Sequence, residues 1–172
     1  MIADIETERL VLRALSPAVL TASQLDDLVT AETGLGLGIP KDWLAEKPVM
    51  AMRLQDMAED PDYAPWSLRA IGLRSEHWMV GHIGFHGRPT DGTVELGYTI
   101  FASARRRGFA EEAVRGMLRW AAGNGVTRYR LSIRPDNIAS QALGAKLGFI
   151  KVGTRDDPVE GIEDVLERTE LP

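Results

Sequence analysis

Residues 94–133 constrain this chain more than any other stretch. Val94 to Phe101 reads as a strand, Arg105-Arg106-Arg107-Gly108-Phe109-Ala110 as a turn, and Phe109 to Ala122 as a helix. That helix carries Phe109, Ala113, Val114, Met117, Leu118 and Ala121 on one face. Gly123-Asn124-Gly125 ends it. Tyr129, Leu131 and Ile133 then alternate with Arg130, Ser132 and Arg134, the mark of a second strand. Strand, crossover helix and strand in succession predict two parallel neighbours in one sheet. A mixed sheet flanked by helices follows.

The rest of the chain reads as antiparallel meanders and short helices. Thr7 to Leu15 forms a first strand, and Ser16-Pro17 opens a helix expected to run to about Glu32. Gly34 to Pro40 breaks it, as a flexible connector or as the mobile wall of a ligand site. A dinucleotide-binding role for these glycines fails, because G-x-G-x-G with no helix after it has the wrong spacing. A helix over Leu44 to Glu59 stops at Asp60-Pro61. Strands Trp66–Arg74, Trp78–His86 and Val94–Phe101 are joined by short connectors. A helix over Ile138–Leu147 and strands Phe149–Arg155 and Glu163–Thr169 close the chain. The expectation is an α/β (α+β) fold in one domain, 1–172. Its sheet is mixed and largely antiparallel, with about seven strands and about four helices.

At 172 residues the chain can bury one sizeable core. A formal charge of −5 argues against a general nucleic-acid binder. With no cysteine there is no disulfide, thiolate metal site or cysteine nucleophile, and no metal site is expected. No apolar run approaches the ~20 residues that span a bilayer. Met1-Ile2-Ala3-Asp4-Ile5-Glu6 lacks the layout of a signal peptide, so a cytoplasmic location is expected.

The turn before the central helix has its own chemistry. A helix opening leaves several N–H groups without an intrahelical partner, at the positive end of the dipole. Gly108 lets the backbone approach a ligand, and Ala110 keeps the first turn narrow. Arg105, Arg106 and Arg107 add heads suited to phosphate oxygens, or else form a solvated basic patch. A phosphate or diphosphate is the ligand this arrangement favours.

Arg105 to Ala110 reads R-x-x-G-x-A and resembles the acetyl-coenzyme A motif of the GNAT superfamily of N-acyltransferases. Asn137-Ile138-Ala139-Ser140, followed by Lys146 and by Gly148-Phe149, resembles the family's second segment. Glu95-Leu96-Gly97-Tyr98 is similar to the strand motif of the RimJ/RimL-type branch, which acetylates ribosomal-protein N-termini. Together these cover about Glu6 to Leu171. The resemblance implies acetyl-coenzyme A as co-substrate, its pantetheine entering between two splayed parallel strands, and direct transfer to a primary amine. The amine belongs to a peptide N-terminus or a small molecule, and a homodimer is compatible. A binding module that holds acyl-coenzyme A without turnover is the alternative.

By the same resemblance, the backbone of Arg107 to Glu111, with Phe109 and Ala110 between them, cradles the diphosphate. Glu111 and Glu112 should turn away from it. Thr99, Ile100 and Phe101 supply a backbone donor to the acetyl oxygen, near a strand bulge. Asn137 holds the pantetheine amides or caps its helix. Glu95 is the first candidate for general base, directly or through one water, or else a structural partner of an arginine. His82 and His86 share a strand face and stand next in line. Four residues apart on a strand they are about 13 Å from each other, too far to share a metal ion directly. The family's acidic tyrosine falls at Gly144, which leaves Ser140 as proton donor to the departing thiolate, or as a helix cap. Trp43 and Trp66 either shape the acceptor site or pack. Tyr98 is assigned packing alone.

Overall fold

A computed structural model gives the fold and describes residues 2–159 and 161–171; Met1, Glu160 and Pro172 lie outside it. The strands are β1 (Ile5–Glu6), β2 (Leu10–Ala14), β3 (Arg69–Leu73), β4 (Trp78–Phe85), β5 (Thr93–Ile100), β6 (Arg128–Ile133), β7 (Ile150–Asp157) and β8 (Gly161–Arg168). The helices are α1 (Pro17–Gln24), α2 (Leu28–Leu35), α3 (Lys47–Glu59), α4 (Phe109–Gly123) and α5 (Ile138–Lys146). The strands form one sheet in the order β1-β2-β3-β4-β5-β6-β8-β7. Every neighbouring pair is antiparallel except β5–β6. The predicted crossover therefore stands.

The sheet separates two cores. One packs Leu12, Ile83, Leu96, Leu131 and Leu166 against Val114 and Met117 of α4 and Leu147 after α5. The other packs Val11, Ala70, Met79 and Phe101 under α1, α2 and α3. Among the described residues, none of β6, β7 or β8 joins the second core. The sheet face opposite α4 and α5 is thus left uncovered by helices beyond β5.

Among the described residues there are eight strands and five helices, against about seven and about four expected. The added strand is the two-residue β1, paired to β2. The added helix comes from a break in the expected Ser16–Glu32 segment. Ser16 caps α1 by accepting from Val19 N–H, as expected. Asp26 then takes a positive φ of 58°, and Asp27 caps a new helix by accepting from Thr30 N–H at 3.1 Å. A left-handed residue interrupts the helical ladder, and the following aspartate restarts it.

Gly34–Pro40 departs from the expected flexible connector. Gly38 N–H donates to His77 O at 2.8 Å, and Gly38 O accepts from Met79 N–H at 2.9 Å. Leu37 and Ile39 are buried. A Cβ on Gly38 would lie 2.2 Å from the Trp78 ring, so a larger residue would have to displace that ring from the start of β4.

Candidate active site

The pairing of β5 with β6 is short. Thr93 faces Arg128, Val94 faces Tyr129 and Glu95 faces Arg130, and there the ladder stops. Beyond it β5 follows β4 through Ile100, while β6 follows β8 through Ile133. The strands fork after Glu95. Leu96, Gly97, Tyr98, Leu131, Ser132, Ile133, Arg134, Asn137, Ser140 and Glu163 line a cleft at the fork.

The backbone of β5 equips this cleft with donors. Glu95 O accepts from His86 N–H and Phe101 N–H donates to Val80 O, so odd-numbered residues between them turn their peptide groups toward β4. Leu96, Tyr98 and Ile100 turn theirs into the gap; the Ile100 carbonyl accepts there from Arg105 Nε at 3.0 Å. This corrects the expectation for Thr99, Ile100 and Phe101. Of the three, only Ile100 faces the gap. The expected bulge is not in β5, which pairs with β4 without a shift; it falls in β4, which skips Val80 between Met79 and Gly81 against β3. The free donors arise from the fork.

At the end of β5 the chain passes through a short 3₁₀ turn, Ala102–Ala104, into the arginine turn. Arg106 and Gly108 have φ of 61° and 80°, alternating with residues of ordinary φ. Gly108 is the N-cap of α4 and no side chain caps that helix. The N–H groups of Arg106 to Glu111 find no acceptor among the described residues; the first that does is Glu112, on Gly108 O at 3.2 Å. Such a run of unpaired N–H groups in a left-handed bend at a helix start is an anion nest.

The side chains around this nest divide the work. Arg105 is turned back to Ile100. The Arg107 guanidinium lies over the Phe109 ring at 4.8 Å, with Arg9 at the same distance. Arg106 is exposed with no partner among the described residues. Glu111 is ion-paired to Lys146 and Arg115, which hold its carboxyl below the usual range. Burial would push Glu112 up, but Thr7 and Arg9 donate to it and the balance is downward. Both carboxylates beside the nest are thereby neutralised.

Asn137 Oδ1 accepts from Ser140 N–H at 3.2 Å, which makes Asn137 the cap of α5. Ser140 supplies only its N–H to that cap, so its hydroxyl stays available on the cleft.

On the uncovered face, Glu95 is held in a bidentate pair by Arg155 from β7, Oε1 at 3.0 Å and Oε2 at 3.1 Å. Arg155 also binds Glu163 of β8 at 2.7 Å, and the His86 ring nitrogen Nδ1 lies 3.3 Å from Glu95. Burial raises the Glu95 pKa, but His86, Ser132 and Arg155 outweigh it and bring it to about 2. Glu95, expected as a general base or as the partner of an arginine, is thus paired with Arg155, and a carboxylate held this far down binds a proton weakly.

The two histidines lie in different surroundings, His86 beside Glu95 and His82 in the second core. His82 is buried at 5% exposure beneath Trp43, its ring 5.5 Å from the indole and its Nε2 3.6 Å from Glu46. Trp43 is fully buried and donates to Ser23, so it packs. Trp66 packs against Phe85 and Trp120. Arg9, Arg155, Ser132 and Glu163 were missed from the sequence. Only the alternation of β6 hinted at one of them, Ser132.

The family profile described as Acetyltransferase (GNAT) domain matches residues 9–150. The chain belongs to the GNAT acetyltransferase family. It is similar to an uncharacterized N-acetyltransferase, YjdG, of Bacillus subtilis, at 35% identity over 46% of this chain and 49% of that protein, about half its length. Its fold matches the RimL ribosomal L7/L12 α-N-protein acetyltransferase in complex with coenzyme A, with TM-score 0.70, 18% identity and coverage of 97% and 98%. It likewise matches the ribosomal-protein-S5-alanine acetyltransferase from Vibrio fischeri, with TM-score 0.68, 17% identity and coverage of 97% and 96%. The forked parallel pair and the nest before α4 both lie within the matched residues.

Proposed function

We propose that this GNAT protein transfers acetyl from acetyl-coenzyme A directly to a primary amine within a ternary complex, without a covalent enzyme intermediate. The observation that carries the reading is the run of unpaired N–H groups from Arg106 to Glu111, opening beside the fork of β5 and β6. The nest takes the diphosphate. Pantetheine lies along the gap-facing peptides of Leu96, Tyr98 and Ile100, opposite the Asn137 amide. The thioester then reaches the fork near Ser140.

The amine nitrogen attacks the acetyl carbon as its free base, and the carbonyl oxygen gains charge. A gap-facing N–H of β5 meets that charge; one such donor is typically worth ~10²–10³ in rate. The carbon–sulfur bond breaks, the sulfur takes a proton from Ser140, and the Ser140 oxygen recovers one from water. Fixing both reactants in the fork supplies the remaining advantage through proximity. Glu95 stays ionised and offers the incoming ammonium a fixed negative charge. The amine releases its proton to water.

A protein N-terminus is the favoured acceptor class, supported by the fold's likeness to acetyltransferases of ribosomal proteins. A small amine is the other. The face of β6, β8 and β7 left open by the helices gives either one access. The reading needs no metal, and it puts the protein in the cytoplasm. No helix among the described residues is long and apolar enough to cross a membrane.

The test is thiol release from acetyl-coenzyme A against a panel of peptides and amines. Turnover with one acceptor class is the expected result. Tight coenzyme A binding without turnover across the panel would instead identify a non-catalytic acyl-coenzyme A-binding module, the reading that Gly144 in place of the family's tyrosine favours.

A further inference from the structure

The Tyr98 phenol oxygen is shut off from solvent and has no hydrogen-bond partner among the described residues. A buried hydroxyl left unpaired is costly, and native structures retain few without a use. Tyr98 and Ser140 line the same cleft at the fork. Burial pushes the phenol's pKa up, and the Ser140 hydroxyl, near enough to oppose it, does not form an aligned hydrogen bond with it.

The position from which the family's tyrosine would come is closed. A Cβ on Gly144 would lie 3.1 Å from Leu166 Cδ2, with Ile133 and Leu131 at 3.7 and 3.8 Å. Residue 144 therefore faces the packed layer between α5 and the strands β6 and β8, against Leu131 and Ile133, which also line the cleft. A phenol reaches the cleft all the same, from β5.

We infer that Tyr98 and Ser140 form a two-hydroxyl relay that protonates the departing thiolate, with Tyr98 acting through Ser140. The inference rests on the acyl-transfer reading above. When the acetyl carbon–sulfur bond breaks, the sulfur keeps the electron pair. The Ser140 proton moves to the sulfur and the Tyr98 proton moves to the Ser140 oxygen. The proton lost by the acylated amine to water returns through Ser140, which is only partly buried, once the thiol has left. Tyr98 is thus a positioning and proton-supplying residue, and Ser140 is the group that touches the sulfur. The charged side chains on this cleft, Arg134 and Glu163, are ion-paired with Asp136 and Arg155.

The experiment compares wild type, Tyr98→Phe, Ser140→Ala and the double variant by two readouts. The first is the ionisation of the thiol of bound coenzyme A, followed by thiolate absorbance against pH, which needs no acceptor. Donors to a thiolate lower its pKa. The bound thiol should ionise at lower pH than free coenzyme A in wild type, and at least about half a unit higher in Tyr98→Phe than in wild type. The second is steady-state turnover: kcat should fall about ten- to a hundredfold in Tyr98→Phe, with KM for acetyl-coenzyme A unchanged. The double variant should be no worse than Ser140→Ala, since the two act as one unit. Thermal stability should be kept or improved, because the substitution removes an unpaired hydroxyl.

Identical thiol titrations in wild type and Tyr98→Phe overturn the relay. So do losses that multiply in the double variant, or a raised KM with kcat kept, which would assign the phenol to pantetheine binding. A wild type that does not bind coenzyme A would bring down the acyl-transfer reading itself. A wild type that binds it with an unperturbed thiol would bring down only the relay.

Discussion

Replacing Glu95 with Gln keeps the shape of the side chain and removes its charge, which isolates what that charge contributes among His86, Ser132 and Arg155. In the folded protein the Glu95 pKa stands at about 2, against 4.5 for the unperturbed group. The Glu95 side chain is 15% exposed and that of Arg155 39%, so solvent screens the pair in part and lowers what the shift is worth. A shift of this size corresponds to about 3 kcal/mol of stability carried by the ionised form. Because the folded value lies below the unfolded one, that contribution is complete above about pH 4.5. It drains away as pH falls toward 2, and below that it is gone.

Gln cannot titrate, so the stability gap between the two proteins should be about 2–3 kcal/mol at pH 7 and should close through the same window. Urea titrations at pH 7, 5, 4 and 3 measure it directly. The other carboxylates with lowered pKa, Glu46, Glu111 and Glu112 among them, titrate alike in both proteins and cancel. Arg155 keeps Glu163 as partner in the variant, so no unpaired charge is left to inflate the difference. A gap that stays constant from pH 7 to pH 3 would refute the reasoning. Glu95 would then be held by shape and not by charge.

Three further outcomes follow from the nest and the cleft. Gly108→Val places a β-branched side chain at a φ of 80° in the ligand's path, and should weaken acetyl-coenzyme A at least tenfold by calorimetry, about 1.4 kcal/mol; unchanged affinity in a folded variant would take this loop out of the site. Arg106→Ala should weaken coenzyme A more than dephospho-coenzyme A, since Arg105 and Arg107 are engaged with Ile100 and Phe109 and Arg106 alone of the three is without a protein partner among the described residues; equal losses would place its side chain away from the ribose 3′-phosphate. Asn137→Ala should cost about 1 kcal/mol in unfolding as a lost cap, whereas Ser140→Ala should leave stability intact and lower kcat at least tenfold; the reverse pattern would exchange their roles.

Local features were legible in the sequence because their causes are local. In the turn at Arg105–Ala110 the glycine at positive φ and the helix start are written in neighbouring residues, though the left-handed Arg106 is not. Ser16-Pro17 likewise marked the start of α1. The split of the first helix was missed because apolar spacing continues across Asp26, and one left-handed residue leaves no gap in that spacing. The docking of Gly38 depends on the Trp78 ring, forty residues on, and composition there reads only as a loop. The Glu95 pair could not be read at all. Arg155 lies 60 residues away, and a long-range ion pair has no spacing signature. Gly144 was visible as a missing tyrosine, but not as a position turned toward Leu166.

The ion cluster also bears on how the fork stays a fork. Two parallel strands that begin to pair tend to go on pairing, because every further rung satisfies a donor and an acceptor. Glu95 sits on the last rung, opposite Arg130. From β7, Arg155 reaches past β8 and β6 to grip Glu95 on β5 while still holding Glu163 on β8. One guanidinium thus joins the two halves of the sheet at the point where the ladder ends. A planar fork with fixed donor directions sets distance and angle together, which an ammonium on a flexible stem does not. Glu163 and Glu95 hold Arg155 above its ordinary pKa, and Arg155 in turn helps keep Glu95 ionised. The bridge therefore stays charged at any pH near neutrality. It stands where the ladder between β5 and β6 ends, beside the gap-facing Tyr98 peptide and the Ile100 N–H.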